Sequence, residues 1–484
     1  MCSIITINLH NKLKSHCYSI LISLNSCLYF SLGECVSYSQ ETVKILKLSI
    51  PIFIAQFAQT AMGFVDTIMA GGVSANDMAA VSIATSIWLP CILFGVGVLM
   101  ALIPLTAQAH GANELQAIPK TGQQGLYLSL LLSIPIIVIL YNASAIVGYM
   151  VNEGPLIQIT TEYLYAVLPA VPAFLLFQAL RNYIEGLSFT KPAMVISFIG
   201  LLINIPLNWI FVYGKFGMPA MGGVGCGIAT TLVYWIMFIA LAIYVAFTKS
   251  LQPFPLFARF SRPDFKHIIN IFVLGLPVAI AIFFEVTIFA AIAILVAPLG
   301  ASVVASHQIA LNFSSMIFML PMSISNAVSI RVGFNLGKKD NRGAKVATYS
   351  GLATGLGLSV ITAILTITFK EQIAYLYTNN TEVIKLALIL LSFAALYQCV
   401  DAIQVVAAGA LRGYKEMTAI FIRTFIAYWV VGLPLGYILA FTDILTSPLG
   451  AKGFWIGITV GLTVAAILLG QRLITVQKKY LVLM

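Results

Sequence analysis

The sequence predicts an all-α polytopic membrane protein that crosses the bilayer about twelve times. Of its 484 residues, 60% are hydrophobic and only 9% are charged, whereas a soluble chain carries about 25% charged residues. Its apolar runs reach the length of about 20 residues that a helix needs to cross the hydrocarbon core. These runs are continuous and do not alternate with polar residues, which excludes a membrane β-barrel.

The predicted spans follow one another from residue 46 to residue 475. They lie near residues 46–70, 78–105, 125–149, 161–183, 193–213, 224–247, 268–297, 303–330, 346–369, 384–409, 417–441 and 453–475. An even number of spans places both termini on the same side of the membrane.

The net charge of +10 is concentrated in every second connection between spans. These basic residues are Lys120, Lys191, Arg259, Arg262, Lys266, Arg331, Lys338, Lys339, Arg342, Lys345, Arg412 and Lys415. The alternate connections 71–77, 152–157 and 298–302 contain neither Lys nor Arg. By the positive-inside rule, both termini are predicted to be cytoplasmic. The cytoplasmic connections therefore explain the excess of Lys and Arg, and no nucleic-acid partner is predicted.

The chain is predicted to be an internal duplication. The shift that aligns Pro51 with Pro277 also aligns Gly111 with Gly337, and the triplet Ala-Leu-Arg at 179–181 recurs at 410–412 after a slightly longer interval. Each half has six spans, so the halves are parallel, as in two-lobe transporters that bind substrates near the midplane. The predicted division is an extension of unknown role (1–40), a first lobe (41–248), a cytoplasmic linker (249–267) and a second lobe (268–484).

The extension and the cysteines indicate no further site. Four of the seven cysteines lie in the first 35 residues and three lie singly in spans, without ligand spacing for zinc or a disulfide framework. The extension is interpreted as the product of a misassigned start or as a weak thirteenth hydrophobic segment.

Three carboxylates, Asp66, Glu285 and Asp401, stand alone in long apolar stretches. A charge at the bilayer centre costs about 2.5–3.5 kcal/mol on insertion scales, so such residues are candidates for function. None of the three has an acidic counterpart in the other half, which favours a specialised site over a repeated scaffold.

Each acid has predicted polar neighbours. Asp66 and the pair Asn204 and Asn208 have the oxygen atoms to hold a hard cation or a protonated amine, although interhelical hydrogen bonding alone also accounts for the asparagines. Tyr397 and Asp401 are one turn apart, with Gln404 along the same face, and Glu285 follows two phenylalanines. Such acids are suited to exchange a proton or Na⁺ against a cationic drug.

Two arginines near cytoplasmic span ends are interpreted as structural. Arg181 and Arg412 are expected to snorkel at span ends or to pair with Glu185 and Glu416. Neither HExxH nor GxSxG occurs in the sequence, so an enzyme is not predicted.

From residue 45 onward the chain resembles the MATE (multidrug and toxic compound extrusion) family, in particular its bacterial NorM branch. The resemblance rests on GFVDTIMAGGVSANDMAAVS (63–82), KPAMVISFIGLLINIPLNWIFVYGKFG (191–217), FFEVT (283–287), LPMSISNAVSIRVG (320–333) and YQCVDAIQVVAAGALRGYK (397–415). It implies two six-helix bundles arranged as a V. The extension at 1–40 departs from the family pattern.

The resemblance also implies roles for residues. Glu285, Asp401 and Tyr397 would form a Na⁺ site in the second lobe, and Asp66, Asn204 and Asn208 a polar cluster for substrate or cation in the first. The expected function is export of cationic and amphipathic drugs from a bacterial inner membrane by antiport with Na⁺, or alternatively H⁺. Beyond the drugs and the lipid bilayer, no cofactor and no obligate protein partner are expected.

Two alternative functions are weighed against drug export. A lipid or lipid-linked-sugar flippase would need Arg and Lys in its cavity, and a membrane enzyme would need a catalytic cluster.

Overall fold

The computed structural model describes residues 38–150, 154–258 and 261–482, and in these ranges all regular secondary structure is helical. Eleven helices are long and apolar enough to cross a membrane, and one bent pair of helices supplies a twelfth span. The prediction of about twelve helical spans is therefore confirmed. The predicted extension lies almost entirely outside the described residues.

Nine helices form the first half of the chain. They are α1 (Tyr38–Gly71), α2 (Ala75–Leu99), α3 (Leu102–Gly111), α4 (Ala117–Tyr141), α5 (Ala143–Met150), α6 (Gly154–Val167), α7 (Ala170–Gly186), α8 (Lys191–Tyr213) and α9 (Gly223–Phe247). The predicted span 161–183 is the bent pair α6 and α7, which meet at 44°. Pro169 at the break has no N–H to continue the helical ladder.

The second half contains seven α-helices and one π-helical segment. They are α10 (Phe265–Val296), α11 (Ala301–Gly337), α12 (Asn341–Tyr375), α13 (Thr381–Gly413), α14 (Met417–Phe425), the π-helical segment Ile426–Gly432, α15 (Leu433–Phe441) and α16 (Ala451–Val482). Side-chain caps fix several starts: Ser74 accepts from the amide of Asp77 before α2, and Asn380 accepts from the amide of Glu382 before α13.

The halves meet where small residues allow backbones to touch. A methyl group on Gly111 would lie 2.0 Å from the carbonyl oxygen of Phe334, and one on Gly337 would lie 2.0 Å from that of Gln108. The two contacts are related by the predicted repeat, which makes Gly111 equivalent to Gly337 and Gln108 equivalent to Phe334. The ends of α3 and α11 thus pack against each other symmetrically.

The predicted match of the two Ala-Leu-Arg triplets is wrong by one helical turn. Gly186 packs against Thr106, and Gly413 packs against Val332. Thr106 and Val332 are equivalent in the register that aligns Gly111 with Gly337. Both glycine-ended helices are followed by a residue with positive φ, Ser188 (71°) and Lys415 (60°). The packing therefore makes Gly186 of α7 the counterpart of Gly413 of α13, so the triplets do not occupy equivalent positions.

The first parts of α1 and α10 each pack against the opposite half of the chain. Ile45, Leu48 and Ile52 of α1 belong to a hydrophobic core built mainly from α11, α12, α13 and α16. Conversely, Ile268 and Ile271 of α10 belong to the core of the first half. Each of these helices therefore packs its beginning into one lobe and its acid-bearing second part into the other.

An ion pair and a hydrogen bond also join the lobes, at the end of the molecule that carries the basic connections. Arg331 of α11 forms a bidentate ion pair with Glu41 of α1, with Nη2 2.9 Å from Oε2. The amide of Gln108 donates to the carbonyl oxygen of Gly413 at 2.8 Å. Both contacts link α1 or α3 to helices of the second half.

Candidate functional site

Asp66 lies near the end of α1, in a polar cluster that satisfies both oxygens of its carboxylate. Its Oδ1 accepts hydrogen bonds from the side-chain amides of Asn208 (2.6 Å) and Asn204 (3.2 Å), and its Oδ2 accepts one from the hydroxyl of Thr230 (2.7 Å). Asn204 and Asn208 lie one turn apart on α8, and Thr230 lies on α9. The structure thus brings together all three polar residues predicted for the first lobe.

Sequence reasoning missed two members of this cluster. One is Thr230, and the other is Cys226, whose thiol lies 3.4 Å from the backbone oxygen of Asp66. Both face α1 from α9, one turn apart. Threonines are frequent in membrane helices, so only the interhelical geometry distinguishes Thr230 from its neighbours.

The second cluster lies in the other lobe, on α10 and α13. Asp401 and Tyr397 are buried one turn apart on α13, and the carboxylate of Asp401 interacts with that of Glu285 on α10. Among the described residues neither carboxylate accepts a hydrogen bond, in contrast to Asp66. The charges of the predicted trio Glu285, Asp401 and Tyr397 thus act on one another, and the two carboxylates accept no hydrogen bond from a described residue.

A small cavity opens beside Asp401 and Tyr397. Asp401, Tyr397, Ser314, Gln398 and Thr362 line it, together with apolar residues of α11 and α12. Its free volume for the centres of water-sized molecules is about 10 Å³, roughly the space that one water occupies. The cavity therefore has room for one water-sized species beside Asp401.

Aromatic rings cover the α10 side of the second cluster. Phe284, next to Glu285, stacks on Phe421 with ring centres 6.0 Å apart and also contacts Phe425 at 5.0 Å. The indole N–H of Trp429 donates to the carbonyl oxygen of Phe284 at 3.2 Å. These contacts fix the backbone of α10 at the residue preceding the acid.

The predicted snorkelling or pairing of Arg412 with Glu416 is wrong. Glu416 binds Arg472 instead, whereas Arg181 and Glu185 do pair, at 2.6 Å. Arg412 is buried and donates to Ser325 (2.8 Å) and Asn326 (3.2 Å), with Met100 of the first half 3.9 Å away.

Arg412 therefore faces the interior instead of the span end. Its charge interacts with that of Glu285 across the second lobe, which an assignment from its position near a span end could not anticipate.

The two clusters differ in what they can bind. In the described part of the chain, no three His, Cys, Asp or Glu side chains are grouped to hold a metal. Two close carboxylates with neutral oxygens nearby fit a monovalent hard cation, since such ions take oxygen ligands. Asp66 already accepts three hydrogen bonds, so its carboxylate is held in a fixed position as an acceptor.

Comparison with known proteins agrees with this architecture. The sequence model of the family described as MatE matches residues 51–210 and again residues 277–438. The two matches begin at equivalent positions of the internal repeat, in the same register in which Gly111 and Gly337 pack together.

Several relatives and solved structures are similar over most of the chain. Multidrug resistance protein NorM of Vibrio cholerae is 61% identical, covering 91% of this chain and 97% of the relative. Multidrug resistance protein MdtK of Yersinia pseudotuberculosis is 53% identical, with the same coverage of both chains. The crystal structure of the eukaryotic MATE transporter AtDTX14 has the same fold, with a TM-score of 0.83 at 24% identity, covering 92% of this chain and 98% of that one. The chain belongs to the MATE family of transporters.

Proposed function

We propose that the protein exports cationic and amphipathic drugs from a bacterial cell by antiport with Na⁺, or alternatively with H⁺. The names of the NorM and MdtK relatives support multidrug export. The observation that carries the antiport proposal is the carboxylate pair of the second lobe, buried Asp401 and half-buried Glu285, which accept no hydrogen bond among the described residues.

The carboxylate pair provides an exchange site. Two interacting carboxylates without hydrogen-bond donors favour binding of a positive charge, which reduces their mutual repulsion. A cation and a cationic drug both supply that charge, so the two compete for the same electrostatic field. Competition of this kind is sufficient to couple the outward movement of a drug to the inward movement of an ion.

Arg412 adjusts this competition. Its positive charge acts on Glu285, so the pair is not left with two uncompensated negative charges. Loss of the bound cation therefore costs less than it would for an isolated pair. This arrangement allows the ion both to bind and to leave.

We infer that the lobes alternate between two arrangements. The lobes are joined by Glu41–Arg331 and by Gly111–Gly337 at the end with the basic connections, which the positive-inside rule assigns to the cytoplasm. This arrangement would be open to the outside. Pro51 and Pro277 lie inside α1 and α10, within the stretches that pack into the opposite lobe, and each proline removes a helical hydrogen bond there.

The cycle follows from these elements. In the outward-facing state Glu285 and Asp401 bind the ion, and the drug is released. Opening of the basic end then exposes the acids to the cytoplasm, where drug binding displaces the ion. The flippase alternative is less favoured, because the candidate site presents two acids and one arginine where a phosphate would need several cations.

Transport by the purified protein in liposomes tests the proposal. Export of a fluorescent cation such as ethidium should be driven by an imposed Na⁺ gradient, or by an imposed pH gradient if the ion is H⁺. Asp401→Asn should insert normally and lose this response. If ethidium is exported at the same rate without any imposed Na⁺ or pH gradient, antiport is excluded.

A further inference from the structure

We propose that a groove between α12 and α13, on the surface of the second lobe, binds an anionic phospholipid through Lys370. The groove is lined by Lys370, Leu388, Ile389, Ser392, Phe393 and Leu396. The inference goes beyond drug export and does not depend on it, because none of these residues lines the cavity beside Asp401.

The first observation is a lysine without a counter-charge in a membrane-spanning helix. Lys370 follows an apolar run of α12 that ends at Phe369. Its ammonium donates to Ser392 Oγ at 3.1 Å, and among the described residues it forms no ion pair. Glu371 is the next residue, but adjacent residues do not face each other on a helix. Charges within a membrane are usually paired, so the Lys370 ammonium is available to an anion from outside the chain.

The second observation is the direction of this side chain. Lysines near the end of a membrane helix usually extend outward to the interface. Lys370 lies about 8 Å before the end of α12, whereas Ser392 lies about 16 Å after the start of the antiparallel α13, at 1.5 Å per residue. The ammonium therefore points back into the membrane, along the groove. The acceptor that it meets there is a neutral hydroxyl, whose own proton is donated to the backbone oxygen of Leu388 at 2.8 Å.

The third observation is the polarity of the groove along its length. Ile389, Phe393 and Leu396 follow one another at spacings of four and three residues, so they form one apolar ridge on α13. Ile389 is 39% exposed and Leu396 is 63% exposed, so this ridge faces the lipid. Lys370 carries the charge near the outer end of the ridge, and Leu396 forms its inner end. A headgroup at the charged end and an acyl chain along the ridge match this arrangement.

Size and position select the occupant. The groove has a free volume of about 230 Å³, which is below the roughly 300–1,000 Å³ of pockets that enclose drug-sized ligands and fits one acyl chain along the ridge. The helix α12 begins beside the basic residues 338–345, which the positive-inside rule assigns to the cytoplasm. Lys370, near the other end of α12, therefore meets the outer leaflet.

A lipid phosphate gives Lys370 a better partner than Ser392 does. The bond between an ammonium and a phosphate oxygen is charge-assisted and about twice as strong as a bond between neutral groups. The four-carbon stem of lysine is flexible, so the ammonium can leave Ser392 and reach a phosphate at the outer end of the groove. The geometry therefore favours phospholipids that carry a net negative charge over zwitterionic ones.

Native mass spectrometry of the purified full chain in detergent tests this inference, with phosphatidylglycerol as the anionic probe and phosphatidylcholine of the same chain length for comparison. The wild type should retain one phosphatidylglycerol with an affinity about tenfold above that for phosphatidylcholine, as one hydrogen bond to a charged group provides. Lys370→Met should lose this preference, and Lys370→Arg should keep it. Leu396→Trp should weaken binding of both lipids, because the larger side chain fills the inner end of the groove.

The matched control is Lys385→Met, because Lys385 is exposed near the same end of α13 but does not line the groove. This variant removes the same charge and should keep the wild-type preference. Equal affinities of the wild type for the two lipids, or equal losses in Lys370→Met and Lys385→Met, would overturn the inference. Displacement of phosphatidylglycerol by millimolar inorganic phosphate would also overturn it, since that result assigns a site for free anions.

Discussion

At the scale of single residues, the two polar clusters differ in how far their acids are satisfied. Asp66 accepts three hydrogen bonds, from Asn204, Asn208 and Thr230. Glu285 and Asp401 accept none among the described residues. The three donors stabilise the Asp66 carboxylate without an ion. Glu285 and Asp401 have no such donors, so an unpaired acid costs free energy only in the second lobe.

A prediction for the first cluster follows from its third donor. Thr230→Val removes the donor to Asp66 Oδ2 at nearly constant volume and leaves a buried acceptor unpaired, at a cost of about 1–3 kcal/mol. We expect a lower unfolding temperature and reduced drug resistance of cells that express the variant.

The matched control is the adjacent Thr231→Val, which loses only a hydrogen bond to the backbone oxygen of Ala166. Its stability can fall, but its resistance should stay close to wild type. Full resistance in Thr230→Val would mean that the third donor is unimportant.

The acids could be located from the sequence because a lone charge in an apolar stretch is visible without any structure. Asn204 and Asn208 could be grouped with Asp66, since both amides lie on one helix face. Thr230 could not be found, because polar hydroxyls are common in such helices and only its tertiary contact with Asp66 distinguishes it. Arg412 was misassigned for the same reason: its partners lie on α11 and in the other half.

At the scale of elements, the contact of α3 with α11 depends on the absence of side chains. Gly111→Ala would place a methyl group 2.0 Å from the Phe334 oxygen, and such overpacking costs about 1–3 kcal/mol. We expect a lower unfolding temperature in detergent. Gly357→Ala is the control, because a methyl group there has no neighbour within 4 Å, and it should be neutral or slightly stabilising.

The ion pair between α1 and α11 gives a second prediction at this scale. Glu41→Gln leaves Arg331 without its carboxylate, and breaking a buried pair costs about 3–5 kcal/mol. The lobes should then separate more often at the basic end. A cysteine placed at Ala107 of α3, which is buried against Gly333 of α11 in the other lobe, should react faster with a water-soluble maleimide in a background lacking the native cysteines.

Two variants control this measurement. Lys44→Gln removes a partner of Glu41 that is 48% exposed and should leave the rate unchanged, since exposed pairs contribute little. The exchanged pair Glu41→Arg with Arg331→Glu should restore slow labelling. An unchanged rate in Glu41→Gln would show that the ion pair does not hold the lobes together.

The elements themselves were largely predictable. Long apolar runs specify helices of membrane length, and the register of the internal repeat appears directly in the Gly111–Gly337 contact. The triplet match failed because an error of one helical turn nearly preserves the helix face while moving along the axis. Sequence similarity over a single triplet could not detect that displacement, whereas the packing of Gly186 and Gly413 does.

At the scale of the whole molecule, the crossing of α1 and α10 links the lobe contacts to the acids. The first part of α1 carries Glu41 and packs in the second lobe, and its later part carries Asp66. α10 repeats this plan, with Glu285 in its later part. A change in lobe arrangement therefore moves both acidic helices relative to their surroundings, which is how we expect ion binding and opening to be coupled.

Ion movement driven by a drug gradient tests the central claim most directly. In liposomes with equal Na⁺ on both sides, an imposed ethidium gradient should drive radioactive Na⁺ in the opposite direction through the wild-type protein, or protons if H⁺ is the coupling ion. Asp401→Asn should abolish this ion flux. Ethidium movement through the wild type without any counterflow of Na⁺ or H⁺, or undiminished counterflow in Asp401→Asn, would contradict the assignment of coupling to the second-lobe acids.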